Sequence, residues 1–123
     1  MNNFTLTKAE NPEKAIQGVA GQKRSHYIAG GTNLVDLMKY RVENPEHLID
    51  ITNLPLSEIR KTSEGGLRLG ALATNADTAY HQEVEENYPL LSKAILAGAS
   101  AQLRNMATDG GQPYAAYTLL LFL

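Results

Sequence analysis

Tyr27-Ile28-Ala29-Gly30-Gly31-Thr32-Asn33-Leu34-Val35-Asp36-Leu37-Met38 runs from an apolar strand through paired glycines straight into an amphipathic helix. Glycines at such a turn let the main chain approach an anion with no side chain in the way. The start of the following helix adds unpaired N–H donors and the positive end of its dipole. The stretch has two readings. In one, Ala29, Gly30, Gly31, Thr32, Asn33 and Leu34 form a phosphate-binding loop. In the other, they make a tight turn with Thr32 as the helix N-cap.

Working outward, residues 4–7 alternate apolar and polar and predict a short strand. Asn11-Pro12 then marks a helix start with proline at its first position, and Gly21 marks its end. Ala15, Ile16, Val19 and Ala20 fall on one face of that helix. Residues 26–29 form the next strand, and Leu34, Leu37 and Met38 the buried face of the helix behind the turn. Asn44-Pro45 leads into an apolar strand over residues 47–51. Further on, residues 56–62 and Leu67–Leu69 flank Glu64-Gly65-Gly66 and read as a hairpin. Thr74, with Asp77 three residues later, resembles a capping box and predicts a short helix over 75–81. Pro89 opens a longer helix in which Leu90, Leu91, Ala94 and Ile95 are expected to face inward. Its continuation, Gly98-Ala99-Ser100-Ala101, is small either for close helix packing or for proximity to a cofactor.

The 123 residues allow one domain at most, with a modest core. A net charge of −2 offers no basic patch for nucleic acid and no electrostatic attraction to an anionic membrane. Without cysteine, these residues hold no disulfide and no thiolate-ligated metal or iron–sulfur cluster. Met1-Asn2-Asn3-Phe4 leads directly into a strand, so no leader is expected. The apolar end is too short to span a bilayer, which needs roughly 20 apolar residues. There is no internal repeat and no low-complexity linker. His26, His47 and His81 lack ligand-like spacing, and Glu83, Glu85 and Glu86 read as a solvated patch. Tyr114 and Tyr117 are weak candidates for stacking on a ring.

A second glycine pair closes Leu103-Arg104-Asn105-Met106-Ala107-Thr108-Asp109-Gly110-Gly111. With it, a series of motifs stands in order: Ala29-Gly30-Gly31-Thr32-Asn33-Leu34, His47-Leu48-Ile49-Asp50-Ile51, Leu69-Gly70-Ala71-Leu72-Ala73-Thr74 and Ala97-Gly98-Ala99-Ser100-Ala101-Gln102-Leu103-Arg104-Asn105. On these motifs the chain resembles the FAD-binding subunit of the molybdenum hydroxylases, the group of xanthine dehydrogenase, carbon monoxide dehydrogenase and bacterial aldehyde oxidoreductases. The likeness is nearest to the aldehyde oxidoreductase type and runs over nearly all of residues 4–108. It implies an α+β fold, with a small mostly parallel sheet, flanking helices and a hairpin.

The resemblance also implies a role. In this family the flavin subunit does not act on the substrate. A molybdopterin-binding large subunit hydroxylates an aldehyde or aromatic heterocycle, and a small subunit with two iron–sulfur clusters carries the electrons. FAD then delivers them to an acceptor such as NAD or oxygen, so the flavin subunit's task is to place and tune its cofactor. Residues 29–34 would be the first pyrophosphate loop, with N–H groups around Gly30, Gly31 and Thr32 on phosphate oxygens and side-chain hydrogen bonds from Thr32 and Asn33. Thr108, Asp109, Gly110, Gly111 and Gln112 match the second FAD loop. There the chain departs from the family pattern twice. Gln112 stands where Asn is usual, and the Asp109 carboxylate would repel a pyrophosphate unless it points away. Pro113 then removes a backbone donor.

The expected organisation is thus the N-terminal part of an FAD-binding domain over 1–111 and a divergent apolar tail over 112–123, the rest of the domain being absent. With suitable synonymous codons, residues 109–119 read one nucleotide later permit Met-Gly-Gly-Asn-Leu-Met-Gln-Arg-Thr-Arg-Cys, which restores the family pattern. A one-nucleotide insertion near the Thr108 codon is therefore expected, the alternative being a natural short variant with an unrelated tail. The expected location is the cytoplasm, or the periplasm by co-export with a partner subunit. A competing expectation is a truncated, non-catalytic remnant that retains no flavin.

Overall fold

A computed structural model describes residues 1–111, which divide into two compact units, Met1–Leu54 and a second that begins at Pro55.

In the first unit, β1 (Thr5–Lys8), α1 (Pro12–Ala20), β2 (Ser25–Ile28), α2 (Leu34–Lys39) and β3 (His47–Asp50) alternate along the chain. The sheet order is β1-β3-β2 and both pairings are parallel, with Leu6 and His26 opposite Leu48 and with Thr7 and Tyr27 opposite Ile49. Alternating strands and helices produce this because a parallel partner must be reached by a crossover. The central strand is covered on both faces, so Leu48 and Ile49 are both buried, whereas all four residues of the edge strand β1 are exposed. The start of α1 is held as expected. Asn11 Oδ1 accepts from the Lys14 N–H at 2.8 Å, with Pro12 in the first turn. Its inward residue is Ala15, while Ile16 lies about 100° round the helix and is 61% exposed.

In the second unit, β4 (Ile59–Lys61) and β5 (Leu67–Leu69) form an antiparallel hairpin. Four helices follow: α3 (Asn75–Tyr80), α4 (Gln82–Asn87), α5 (Pro89–Ala97) and α6 (Ala101–Met106), and then a 3-10 turn over Asp109–Gly111. Thr74 caps α3, its hydroxyl accepting from the Asp77 N–H at 3.0 Å. Ala73, Thr78, Ala79 and Val84 are essentially inaccessible and form the centre of this unit.

Two expectations are corrected here. Leu90 is 80% exposed and Ala94 is also exposed, because α5 turns Ser92 inward instead. The Ser92 hydroxyl donates to the Ala79 carbonyl of α3 at 2.6 Å, and that bond sets the rotation of α5, leaving Leu91 and Ile95 half-buried. The small run 98–101 is not a packing face but a break. Gly98 is extended, Ala99 is left-handed at φ +53°, and the Ser100 hydroxyl starts α6 by accepting from the Leu103 N–H. The Arg104 guanidinium braces the break by donating to the Gly98 and Ala99 carbonyls at 2.9 and 3.1 Å.

Among the described residues no helix is long and apolar enough to cross a membrane.

Candidate functional site

The first glycine loop leaves the carboxyl end of β2, the end of a parallel strand at which α/β sheets bind ligands. Ile28 closes the ladder by accepting from the Ile51 N–H at 3.0 Å. The chain then turns sharply at Gly31, whose φ of +75° is left-handed and strained for any residue with a Cβ. The Gly31 and Asn33 carbonyls accept from Val35 and Leu37 and so start α2. Among the described residues, the N–H groups of Gly30, Gly31, Thr32, Asn33 and Leu34 donate to no main-chain acceptor.

The tight-turn reading assigns the role of N-cap to Thr32. The structure puts Asn33 at the cap position, with φ −100° and ψ −52°, and no side chain makes the cap bond. Side-chain capping needs an extended backbone at that residue, and Asn33 is already helical. The loop therefore presents a run of half-buried donors without the side-chain acceptor an ordinary turn would supply. Since α2 has only six residues, its macrodipole is short, and the loop N–H groups themselves are the donors at its start.

Asp50 ends the neighbouring strand β3 and is engaged locally. Partial burial pushes its carboxyl up, but bonds from the Thr52 hydroxyl at 2.6 Å and N–H at 2.9 Å, with the charge of Lys8, bring it below the ordinary carboxylate value.

The second glycine loop is built differently. Residues 107–110 run alongside 71–75, with Thr108 opposite Thr74 in an isolated antiparallel bridge. The Asn75 N–H donates to Ala107, Asp109 to Ala73 and Gly110 to Ala71, each at 2.9 Å, and Gly111 folds back onto the Thr108 carbonyl at 3.0 Å. A Cβ on residue 110 would stand 2.9 Å from the Ala71 carbonyl oxygen, so only glycine permits this approach. In contrast to the first loop, the N–H groups of Asp109, Gly110 and Gly111 are all taken by protein carbonyls.

The Asp109 carboxyl accepts from the Thr78 hydroxyl at 2.6 Å. Half-burial raises its pKa above the ordinary carboxylate value, the Thr78 bond acts against that rise, and the nearby Asp77 charge adds to it. Thr78 lies 31 residues away in sequence and carries no local signal of this partnership. Gln112, Tyr114 and Tyr117 fall outside the described residues.

The three histidines are placed apart, each with its own local contact. The Thr5 hydroxyl lies 2.6 Å from His47 Nδ1, His26 faces Glu43 at 3.8 Å, and His81 Nδ1 accepts from the Glu83 N–H as the cap of α4. Among the described residues no group of His, Asp or Glu is arranged to hold a metal ion. Glu83 departs from the expected solvated patch. Its carboxylate pairs with Lys61 of β4 at 3.0 Å, and that bond holds its pKa below the ordinary value.

Residues 2–117 match the family described as the FAD binding domain in molybdopterin dehydrogenase. The chain is 49% identical over 111 residues to the aldehyde oxidoreductase FAD-binding subunit PaoB of Escherichia coli (strain K12), covering 90% of this chain and 35% of that protein. It is 40% identical over 110 residues to the carbon monoxide dehydrogenase medium chain of Hydrogenophaga pseudoflava, covering 88% and 37%. Among solved structures, quinoline 2-oxidoreductase from Pseudomonas putida 86 superposes with a TM-score of 0.82 at 30% identity, over 88% of this chain and 38% of that one. The chain thus spans little more than a third of the length of these relatives. The α+β architecture, the parallel sheet, the hairpin and the ordered motifs agree with this match, and the chain belongs to the family of FAD-binding domains of molybdopterin dehydrogenases.

Proposed function

We propose that this chain supplies the pyrophosphate-holding part of an FAD site in a flavin subunit of a molybdenum hydroxylase. The subunit passes electrons from the oxidation of aldehydes or aromatic heterocycles to an external acceptor. Its partners in this reading are a molybdopterin-binding large subunit and a two-cluster iron–sulfur small subunit. Residues 1–111 belong to the FAD-binding domain, and the contacts come from Ala29, Gly30, Gly31, Thr32, Asn33 and Leu34 and from Thr108, Asp109, Gly110, Gly111 and Gln112.

One observation carries the reading beyond family membership. The N–H groups from Gly30 to Leu34 lack main-chain acceptors among the described residues, at a turn that Gly31 alone can make. Donors of this kind fit the oxygens of a pyrophosphate and need no side-chain rearrangement to meet them. The Thr32 hydroxyl and Asn33 amide add donors beside them. In the second loop the N–H groups of Asp109, Gly110 and Gly111 are committed to carbonyls, so that loop contributes shape and the Thr108 hydroxyl rather than a bare amide cradle. Bound FAD supplies the redox chemistry, and the residues of this chain bind and orient it.

Equilibrium dialysis of the chain against FAD, ADP and riboflavin tests the assignment. FAD and ADP should bind and compete with each other, whereas riboflavin, which lacks the phosphates, should not compete. Riboflavin binding without ADP binding would reject the pyrophosphate assignment, and binding of none of the three would reject the function.

A further inference from the structure

The second loop carries an acidic residue between Thr108 and Gly110, and the structure gives its carboxyl a partner inside the protein. We infer that Thr78 is a positioning residue for the second loop: its hydroxyl holds the Asp109 carboxyl against α3 and so keeps a negative charge off the ligand side of Thr108–Gly111. The inference rests on the proposed function for what the ligand is, and on geometry alone for where the carboxyl is held.

Thr78 is completely buried in the middle of α3, so its hydroxyl has no access to water and must find a partner inside the protein. It donates to Asp109 Oδ2 at 2.6 Å. The main chain of the loop is fixed at the same place by the Asp109 bond to Ala73 and the Gly110 bond to Ala71. The backbone therefore brings the carboxyl to α3, and the hydroxyl selects the rotamer that stays there. The charged groups around it are few. Asp77 lies on the same helix and disfavours the ionised form, and no basic side chain among the described residues pairs with Asp109. Without Thr78, a half-buried carboxylate has only water to turn to, which brings its charge outward towards an anionic ligand.

Two measurements on the 123-residue chain test this. The first needs no ligand. The Hα–Hβ couplings of Asp109, measured by NMR, should report one rotamer in the wild type and rotamer averaging in the nearly isosteric Thr78→Val. A single unchanged rotamer in Thr78→Val would overturn the inference, whether or not the chain binds a nucleotide.

The second is a titration with ADP. Thr78→Val should bind ADP about tenfold more weakly, the scale of one charge repelling another about 12 Å away near a protein surface. Asp109→Asn should bind at least as well as the wild type, because the amide oxygen still accepts from Thr78 and the charge is gone. The double variant Thr78→Val with Asp109→Asn should return to the affinity of Asp109→Asn. That rescue separates a charge effect from a packing defect: a double variant as weak as Thr78→Val would show that the hydroxyl acts only through the fold. A wild type that binds no ADP would count against the proposed function, and the coupling measurement would then decide the inference alone.

Discussion

Replacing Gly31 with valine separates what this loop costs to build from what it does. Gly31 sits at φ +75°, where an L-residue loses about 1–2 kcal/mol and a β-branched one more. Its Cβ would stand 3.2 Å from Val35 Cγ2 and 3.6 Å from Ile28 Cδ1, a tight contact with side-chain atoms that can yield by a few tenths of an ångström. Together these place the destabilisation at about 2–3 kcal/mol, below the roughly 5–15 kcal/mol that holds a typical domain together. The urea midpoint should fall by about 1 M for a slope of 2–3 kcal/mol per M, with the far-UV signal kept.

The loss of binding should be larger in proportion. A hydrogen bond to a charged group contributes roughly 1.5–3 kcal/mol, so covering one N–H donor lowers ADP affinity by about 10- to 100-fold. Gly65→Ala is the control. Gly65 is also left-handed, at φ +84°, but a Cβ there meets nothing within 4 Å, so the variant carries the backbone strain without touching the loop. Calorimetric titration with ADP and urea unfolding on both variants give the comparison. ADP affinity in Gly31→Val within twofold of the wild type would refute the reasoning. So would an equal loss in Gly65→Ala, because strain alone would then explain both.

Asp109 predicts a pH dependence. Its folded pKa is raised above the usual value of 3.8, so its contribution to stability is fully present below that pH and is lost as the pH rises through the folded pKa. Thermal melts should therefore show Asp109→Asn gaining on the wild type between pH 4 and pH 7, and a gap that stays constant or narrows would contradict the sign. At the break between α5 and α6, Ala99→Gly removes left-handed strain at φ +53° while keeping the carbonyl that Arg104 bonds. A gain of about 0.5–1 kcal/mol in urea unfolding is expected, since relief of strain outweighs the added flexibility of the unfolded chain, and a loss of stability would show that Ala99 is not strained.

Features that depend on neighbouring residues were legible from the sequence. Asn11 and Pro12 announce the start of α1, Thr74 the start of α3, and Glu64-Gly65-Gly66 the hairpin turn, because caps and turns are satisfied within a few residues of themselves. The strand–glycine–helix passage at 27–38 was legible for the same reason: an apolar strand, a residue able to take positive φ and a helical period follow one another directly. The order of motifs from residue 29 to residue 105 likewise identified the family, since each motif is a local feature and the four stand in the family's order.

Only the tertiary structure decided the features that need a distant partner. The hydropathy of α5 makes Leu90 as suitable for the interior as Leu91, and the bond between Ser92 and Ala79 is what turns Leu90 out to solvent. The small run 98–101 reads as either helix packing or proximity to a cofactor, and the Arg104 bonds and the left-handed Ala99 reveal a break in the helix there. Both glycine pairs look alike as sequence. Yet the first keeps its N–H groups free of main-chain acceptors among the described residues, while the second commits them to carbonyls of residues 71–73 and 108. In the sequence the Asp109 carboxylate would repel a pyrophosphate unless it points away, and only the fold brings it the buried Thr78 hydroxyl of α3 as a partner. A hydrogen bond is satisfied by whichever acceptor the fold brings within 3 Å, and for these groups that acceptor lies on another element of the chain.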